Sequence, residues 1–301
     1  MVIKTGPLCS LLISLITLGT GIGTVNAEPV NELLETNENP ITIYTELNTF
    51  PLGWSYDTSV EYSDKKTCLT AGVRRVEAFF NQTYKYELGE SDSGTVSLDG
   101  GDSKQEIWIG CKTTLNNKTL LQVNVGGRFL TQGLDISSSG TYGDIPYLYS
   151  ETDNSSRDEL FLRLRVDHKL YESEFANVIA FLEGDFGLKL SGEGAPSYSV
   201  KTGLIYDSPN LEVYSKLGYK DSFFELEGSA TLIGFADSKI QPVLIVDGEL
   251  GNGYDNTSFL GGARVILNED SYIQLGAGYN VSGHNPDNNG FTSKATFIFR
   301  F

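Results

Sequence analysis

Phe291-Thr-Ser-Lys-Ala-Thr-Phe-Ile-Phe-Arg-Phe301 closes the chain, and its reading decides the fold. Phe291, Ala295, Phe297, Phe299 and Phe301 fall on one side of a two-residue repeat. Thr292, Lys294, Thr296 and Arg300 fall on the other, with Ile298 its one apolar member. Strand side chains point alternately to opposite faces, so the pattern predicts a β-strand with an aromatic face and a polar, cationic one. The alternation recurs upstream. Leu160, Leu162, Leu164, Val166 and Leu170 oppose Arg163, Arg165, Asp167 and Lys169. Leu211, Val213, Leu217 and Tyr219 oppose Glu212, Tyr214, Lys216 and Lys220, while Phe224, Leu226, Ala230 and Leu232 oppose Glu225, Glu227, Ser229 and Thr231.

A chain that ends on an aromatic residue inside such a strand resembles the bacterial outer-membrane β-barrels. In that family the aromatic C-terminus is the signal read by the insertion machinery. The resemblance implies that Phe297, Phe299 and Phe301 form the insertion signal. It also implies that the barrel assembly machinery and the lipids and lipopolysaccharide of a Gram-negative outer membrane are partners.

The N-terminus fits that compartment. Lys4 is the one charge in residues 1–27, Leu8 to Leu18 is a short apolar core, and Val25-Asn26-Ala27 offers small residues for cleavage. Residues 1–27 therefore read as a secretory signal peptide. No later segment approaches the roughly 20 apolar residues of a membrane-spanning helix. A membrane reading must then go through a closed sheet, because only helices and barrels satisfy every backbone group in lipid. The 33 Gly, 16 Tyr and 16 Phe are compatible with such a barrel, although a secreted β-sandwich has similar averages. Removing Lys4 from the formal charge of −17 leaves −18 for the exported chain, which argues against nucleic acid as a partner. Cys68 and Cys111 are the two cysteines after the signal, and in an oxidising compartment a single disulfide between them is expected.

Residues 28–66 read as an acidic leader followed by a segment at the periplasmic rim, and 67–301 as the barrel proper. Periodicity predicts an antiparallel up-and-down barrel of about twelve strands, with ten or fourteen as alternatives. Fourteen would use 41–50 and 58–73 as wall strands. The connections at Thr114–Asn117, Glu172–Glu174, Ser208–Asn210, Asp237–Ser238 and Glu269–Asp270 are short, whereas 89–103, 132–157 and 283–290 are long. Brief periplasmic turns alternating with extended outer loops are what such barrels show. Tyr198 and Tyr206 share the outward parity. At ~3.3 Å per residue and a tilt near ~40° they lie about 20 Å apart in height, matching two aromatic girdles.

Turning each polar face inward gives the candidate lumen residues. Arg128, Arg163, Arg165, Lys169, Lys189, Lys201 and Lys216 fall on five consecutive strands, and Glu225, Glu227, Asp247 and Glu249 on the next two. A basic wall beside an acidic wall sets a transverse field that selects solutes, so the expected function is a porin-like channel for small hydrophilic solutes, with anions favoured. The alternative is a barrel whose charges pair across the lumen and close it, leaving a structural or surface-interaction role. A lipid hydrolase is a more remote reading. Outer-membrane phospholipases and deacylases use a His and a Ser on one lipid-facing ledge, and neither His168 nor His284, near Ser282 and Asp287, matches their spacing. No catalytic residue, metal site or cofactor is expected. Glycine pairs such as Gly126-Gly127 and Gly261-Gly262 lie mid-strand, where they relieve crowding or allow bending.

Overall fold

The computed structural model describes residues 41–64, 67–87, 93–142, 145–173, 175–191, 196–220, 223–251, 254–283 and 289–301. The expected signal peptide and the leader as far as residue 40 lie outside the described residues. Fourteen strands follow in chain order: β1 (Ile41–Phe50), β2 (Gly53–Asp64), β3 (Thr67–Glu87), β4 (Ser93–Asn116), β5 (Thr119–Tyr142), β6 (Ile145–Glu172), β7 (Asn177–Lys189), β8 (Ser197–Ser208), β9 (Leu211–Lys220), β10 (Phe223–Ile233), β11 (Ile240–Gly251), β12 (Tyr254–Asn268), β13 (Ser271–Val281) and β14 (Gly290–Arg300). Each pairs antiparallel with its neighbours in sequence, and β14 returns to pair with β1. No helix occurs among the described residues.

The closing strand behaves as its alternation predicts. Thr292, Lys294, Thr296 and Ile298 are buried inside, and Phe291 and Phe301 are exposed outside. Its ladder runs from Thr42↔Arg300 to Thr49↔Ser293. The final residue extends it: Phe301 N donates to Ile41 O at 2.9 Å, and Ile41 N donates to Phe301 O at 3.2 Å. Ile41 and Phe301 therefore share one end, the periplasmic end in outer-membrane barrels with an even strand number.

The strand count is fourteen, not the main expectation of twelve. β1 and β2 are wall strands, so the barrel begins at Ile41 and not at residue 67, and 41–64 is no rim segment. β2 escaped the sequence reading because its inward face is Ser55, Asp57, Ser59 and Glu61, which resembles a turn-rich stretch. The outward face, Trp54, Tyr56, Val60 and Tyr62, carries the alternation. The expected long loops at 89–103 and 132–157 are also corrected. β3 to β6 run for 21, 24, 24 and 28 residues and cover most of both segments. Those outer stretches are rich in Ser, Gly and Asp and are solvated on both faces, so they lack the apolar period that marks a strand.

The outward face is apolar through the wall. On β6, Leu160, Leu162, Leu164 and Leu170 are all exposed outside, spanning about 25 Å of height at a tilt of about 40°. Beyond Asp158 that face changes to Ser156, Asn154, Thr152 and Ser150, which sets the outer limit of the apolar band. Inside, two glycines admit large neighbours. A Cβ on Gly72 would lie 2.3 Å from the Trp108 ring, and one on Gly110 would lie 2.0 Å from the Asn124 side-chain oxygen.

The expected disulfide is absent: Cys68 and Cys111 are not bonded to each other. Register explains it. Cys68 sits opposite Lys112 on the buried inner face, and Cys111 sits opposite Leu69 on the outer face. Paired strands offset by one residue put the two sulfurs on opposite sides of the wall, where no S–S bond can form.

Placing a charge at mid-band, Leu164→Arg, is expected to destabilise the barrel by about 2–4 kcal/mol. Ser150→Arg, above the band, should change stability by under about 0.5 kcal/mol. Urea unfolding in phospholipid vesicles measures both, and equal effects would place the membrane boundary elsewhere.

Candidate functional site

The lumen is the candidate site, and its inner face is built in two layers. The first is a dense ionic network carried by β4 to β7. Arg128 on β5 donates from Nε to Glu106 Oε1 at 2.6 Å, from Nη1 to Glu159 Oε2 at 3.2 Å, and from Nη2 to both Asp185 oxygens at 2.9 and 3.1 Å. Arg163 on β6 donates to Asp185 Oδ2 at 2.8 and 3.0 Å and to Glu106 Oε2 at 3.2 Å. Both guanidinium groups lie over the Phe161 ring, at 5.0 and 5.1 Å from its centroid. Along β6 the ring lies between Glu159, opposite Arg128, and Arg163, and the two cations share Glu106 and Asp185. Lys104 pairs with Glu106 at 2.9 Å, Arg157 pairs with Glu159, and Ser197 Oγ donates to Glu159 at 3.0 Å. Glu106 and Glu159 are almost completely buried, so their charges depend on these donors.

The second layer is apolar and lies toward the end holding Ile41 and Phe301. Leu120, Ile179, Phe181, Ile205 and Tyr214 form one buried cluster, and Ile233, Val243, Ile245 and Leu260 another. Phe181 and Tyr214 stack with centroids 5.7 Å apart and ring planes 1° from parallel. Arg165 bridges the layers: its guanidinium sits 4.4 Å from the Phe181 centroid and bonds Asp167 at 2.9 Å.

Within the expected basic wall and the acidic wall beside it, the charges form interleaved pairs. Besides Arg128, Arg163 and Arg165, Lys169 pairs with Glu172 at 2.6 Å, Lys201 with Glu183 at 4.0 Å, and Lys216 with Glu227. Lys189 lies at the outer end of β7, opposite Glu159. Asp247 accepts from Lys294 at 3.3 Å, and Lys294 also lies 3.7 Å from Glu46. Glu249 sits opposite Glu227 across β10 and β11, and Glu225 opposite Gly218. Arg264 reaches Glu212, three strands away, at 2.8 and 2.9 Å. The ion pairs named here join strands at most three apart, so the side chains lie along the wall and do not cross the lumen.

The sequence reading missed Glu46, Glu61 and Glu159, although each has the parity of an inward neighbour. It also missed the apolar layer. An inward Ile or Phe on a strand whose outer face is apolar breaks the alternation and leaves a short apolar run. That run looks the same whichever face the residue occupies.

His168 is exposed at the short-turn end, with Nδ1 2.9 Å from Thr119 Oγ1. Ser282 Oγ donates to Asp255 at 3.3 Å, while His284 and Asp287 lie outside the described residues. Among the described residues no three His, Cys, Asp or Glu are grouped to hold a metal ion.

A closed, antiparallel barrel of fourteen strands with an apolar exterior and a charged interior is the fold of a bacterial outer-membrane β-barrel. Known structures agree on the fold. The toluene transporter TodX of P. putida superimposes with a TM-score of 0.55 at 10% identity, covering 89% of this chain and 92% of its own. The Ralstonia pickettii toluene transporter TbuX gives 0.55 at 10% identity over 93% and 96%. The monoaromatic hydrocarbon channel CymD gives 0.55 at 7% identity over 93% and 95%. No protein-family model and no curated protein matches the sequence.

Removing Arg128 should be far more damaging than removing Arg264. Arg128→Met leaves Glu106, Glu159 and Asp185 short of a donor in a buried site and is expected to destabilise by about 3–5 kcal/mol. Arg264→Met releases the half-exposed Glu212 toward solvent and is expected to cost under about 2 kcal/mol. The shift in urea midpoint of the refolded barrel measures both.

Proposed function

We propose that the chain is an outer-membrane channel for small hydrophilic solutes, resident in the Gram-negative cell envelope. The observation that carries this reading is a charged inner belt on a wall of fourteen strands. At about 4.8 Å between strands and a tilt of about 40°, fourteen strands enclose a backbone circle of about 14 Å radius. Eight strands enclose about 8 Å, which inward side chains just fill. A round barrel would then have a central space about 12 Å across, which the buried inward side chains, among them Glu46, Glu106, Asp167, Lys169 and Lys216, narrow. Charges lining such a space favour water and polar solutes over lipid. The names of the structural neighbours, transporters and channels, support transport in general terms and do not carry a solute over to this chain.

The preference for anions rests on Arg128, Arg163 and Arg165, and their pairing with Glu106, Glu159, Asp167 and Asp185 weakens it. Ion selectivity of the native barrel is therefore small, and it emerges when one partner is removed. The aromatic outer face of β14 supports Phe297, Phe299 and Phe301 as the segment read by the barrel assembly machinery. One observation favours the second reading, a closed barrel with a structural role. The apolar clusters around Ile179 and Ile245 occupy the periplasmic side of the lumen and would exclude water if they met across it.

Single-channel recording in planar bilayers separates the two. A conducting barrel should show stable openings with a reversal potential near zero in a salt gradient. The Arg163→Glu and Arg165→Glu double variant should shift it toward cation selectivity. A refolded, heat-modifiable barrel that never conducts would sink the channel and leave the closed barrel.

A further inference from the structure

The outer ends of β3 to β6 leave the barrel as a four-stranded sheet, and this sheet has an open edge. β5 and β6 stay in unbroken register from Thr119↔His168 to Tyr142↔Ile145. On its other side β6 loses its partner earlier. The ladder with β7 ends at Glu159↔Lys189, and Leu190 N and Ser191 N, donating to Asp158 O at 2.8 and 3.4 Å, make the last backbone bonds among the described residues there. From Leu148 to Ser156, no described residue pairs with that side of β6.

The direction of each backbone group follows from two bonds. Lys169 N donates to Lys118 O, toward β5, and Asp158 O accepts from Leu190 N, toward β7. Strand groups alternate, so the even residues Leu148, Ser150, Thr152, Asn154 and Ser156 send N–H and C=O outward over about 30 Å of edge. Pro146 has the same parity, so its missing N–H takes nothing from the ladder with β5.

The side chains specify what fits. Tyr149, Glu151 and Asp153 stand on one face of this edge and Leu148, Ser150, Thr152 and Asn154 on the other. Leu148 is 83% exposed. Asp99 and Asp135 add negative charge on the neighbouring strands, where they face each other directly. Arg157, the one cation on this part of β6, is already paired with Glu159. Open edges invite another strand, and natural edges carry charge to prevent self-pairing. Here the charge is of one sign. A second copy of the chain would bring the same acids to the edge and be repelled, whereas a cationic strand would be attracted.

We propose that the outer edge of β6 binds, by strand addition, an extended polypeptide segment with Lys or Arg at alternate positions. Its backbone completes the outward N–H and C=O groups from Leu148 to Ser156. Its cations lie beside Glu151 and Asp153, and the intervening side chains lie beside Leu148 and Thr152. This proposal stands apart from conduction, because the edge lies beyond the apolar band.

The test uses the full barrel refolded in non-ionic micelles and a fluorescein-labelled Lys-Thr-Lys-Thr-Lys-Val-Lys-Thr peptide, followed by fluorescence anisotropy. Saturable binding is expected, with no binding of the counterpart in which every Lys is Glu. Charge reversal at Glu151→Lys and Asp153→Lys should weaken it at least tenfold. So should Asn154→Pro, which removes one outward N–H and leaves the ladder to β5 intact. Unchanged heat-modifiable migration on gels shows that a variant retains its barrel, and Ser150→Pro repeats the test if Asn154→Pro does not refold. Absence of binding by the native chain overturns the proposal. So does native-like binding by the proline variant, since charge alone would then hold the peptide.

Discussion

A sheet in hydrocarbon has no water to satisfy its edges, and a strand with one free side would leave a row of bare N–H and C=O groups in lipid. The ladder between β1 and β14, carried to the last residue by the paired bonds of Ile41 and Phe301, removes that edge. Every other feature of the wall depends on this closure. The inside becomes a separate compartment, so the inner face is free to be charged while the outer face remains apolar. Antiparallel closure also fixes an even strand number, which brings Ile41 and Phe301 to the same end.

Within that compartment, electrostatics is local. Arginines from adjacent strands are separated by an aromatic ring at Phe161 and fastened to carboxylates on both sides. Two long pairs, Arg264 with Glu212 and Lys294 with Asp247, lie over the strands between them. The inner surface thus carries many charges and little net field. The apolar layer beneath it supplies an abrupt change of polarity along the axis of the lumen.

The extension of β3 to β6 obeys a different physics. Above the apolar band, water can satisfy an open edge, so the same strands that had to be paired in the membrane can end unpaired outside it. Ser, Thr and Asn on both faces keep the sheet soluble, and Glu151, Asp153 and Asp135 keep two such sheets apart.

The sequence by itself determined the all-β class and the direction of most wall side chains, because alternation is a local property read directly from neighbours two apart. It placed Arg163, Arg165, Lys201 and Lys294 inside, and the structure finds them there. It did not determine the strand number. The polar inner face of β2 and the solvated faces of the outer extension carry no apolar period. Only pairing reveals them as strands. The partner of each charge was equally hidden, since parity states which face a residue occupies but not its height against the next strand. Register sets that height. The same one-residue offset that brings Cys68 opposite Lys112 also sends Cys111 to the far side of the wall, so the disulfide that composition suggested is forbidden by tertiary structure. Local chemistry chose inside or outside, and the closed ladder chose which residues meet.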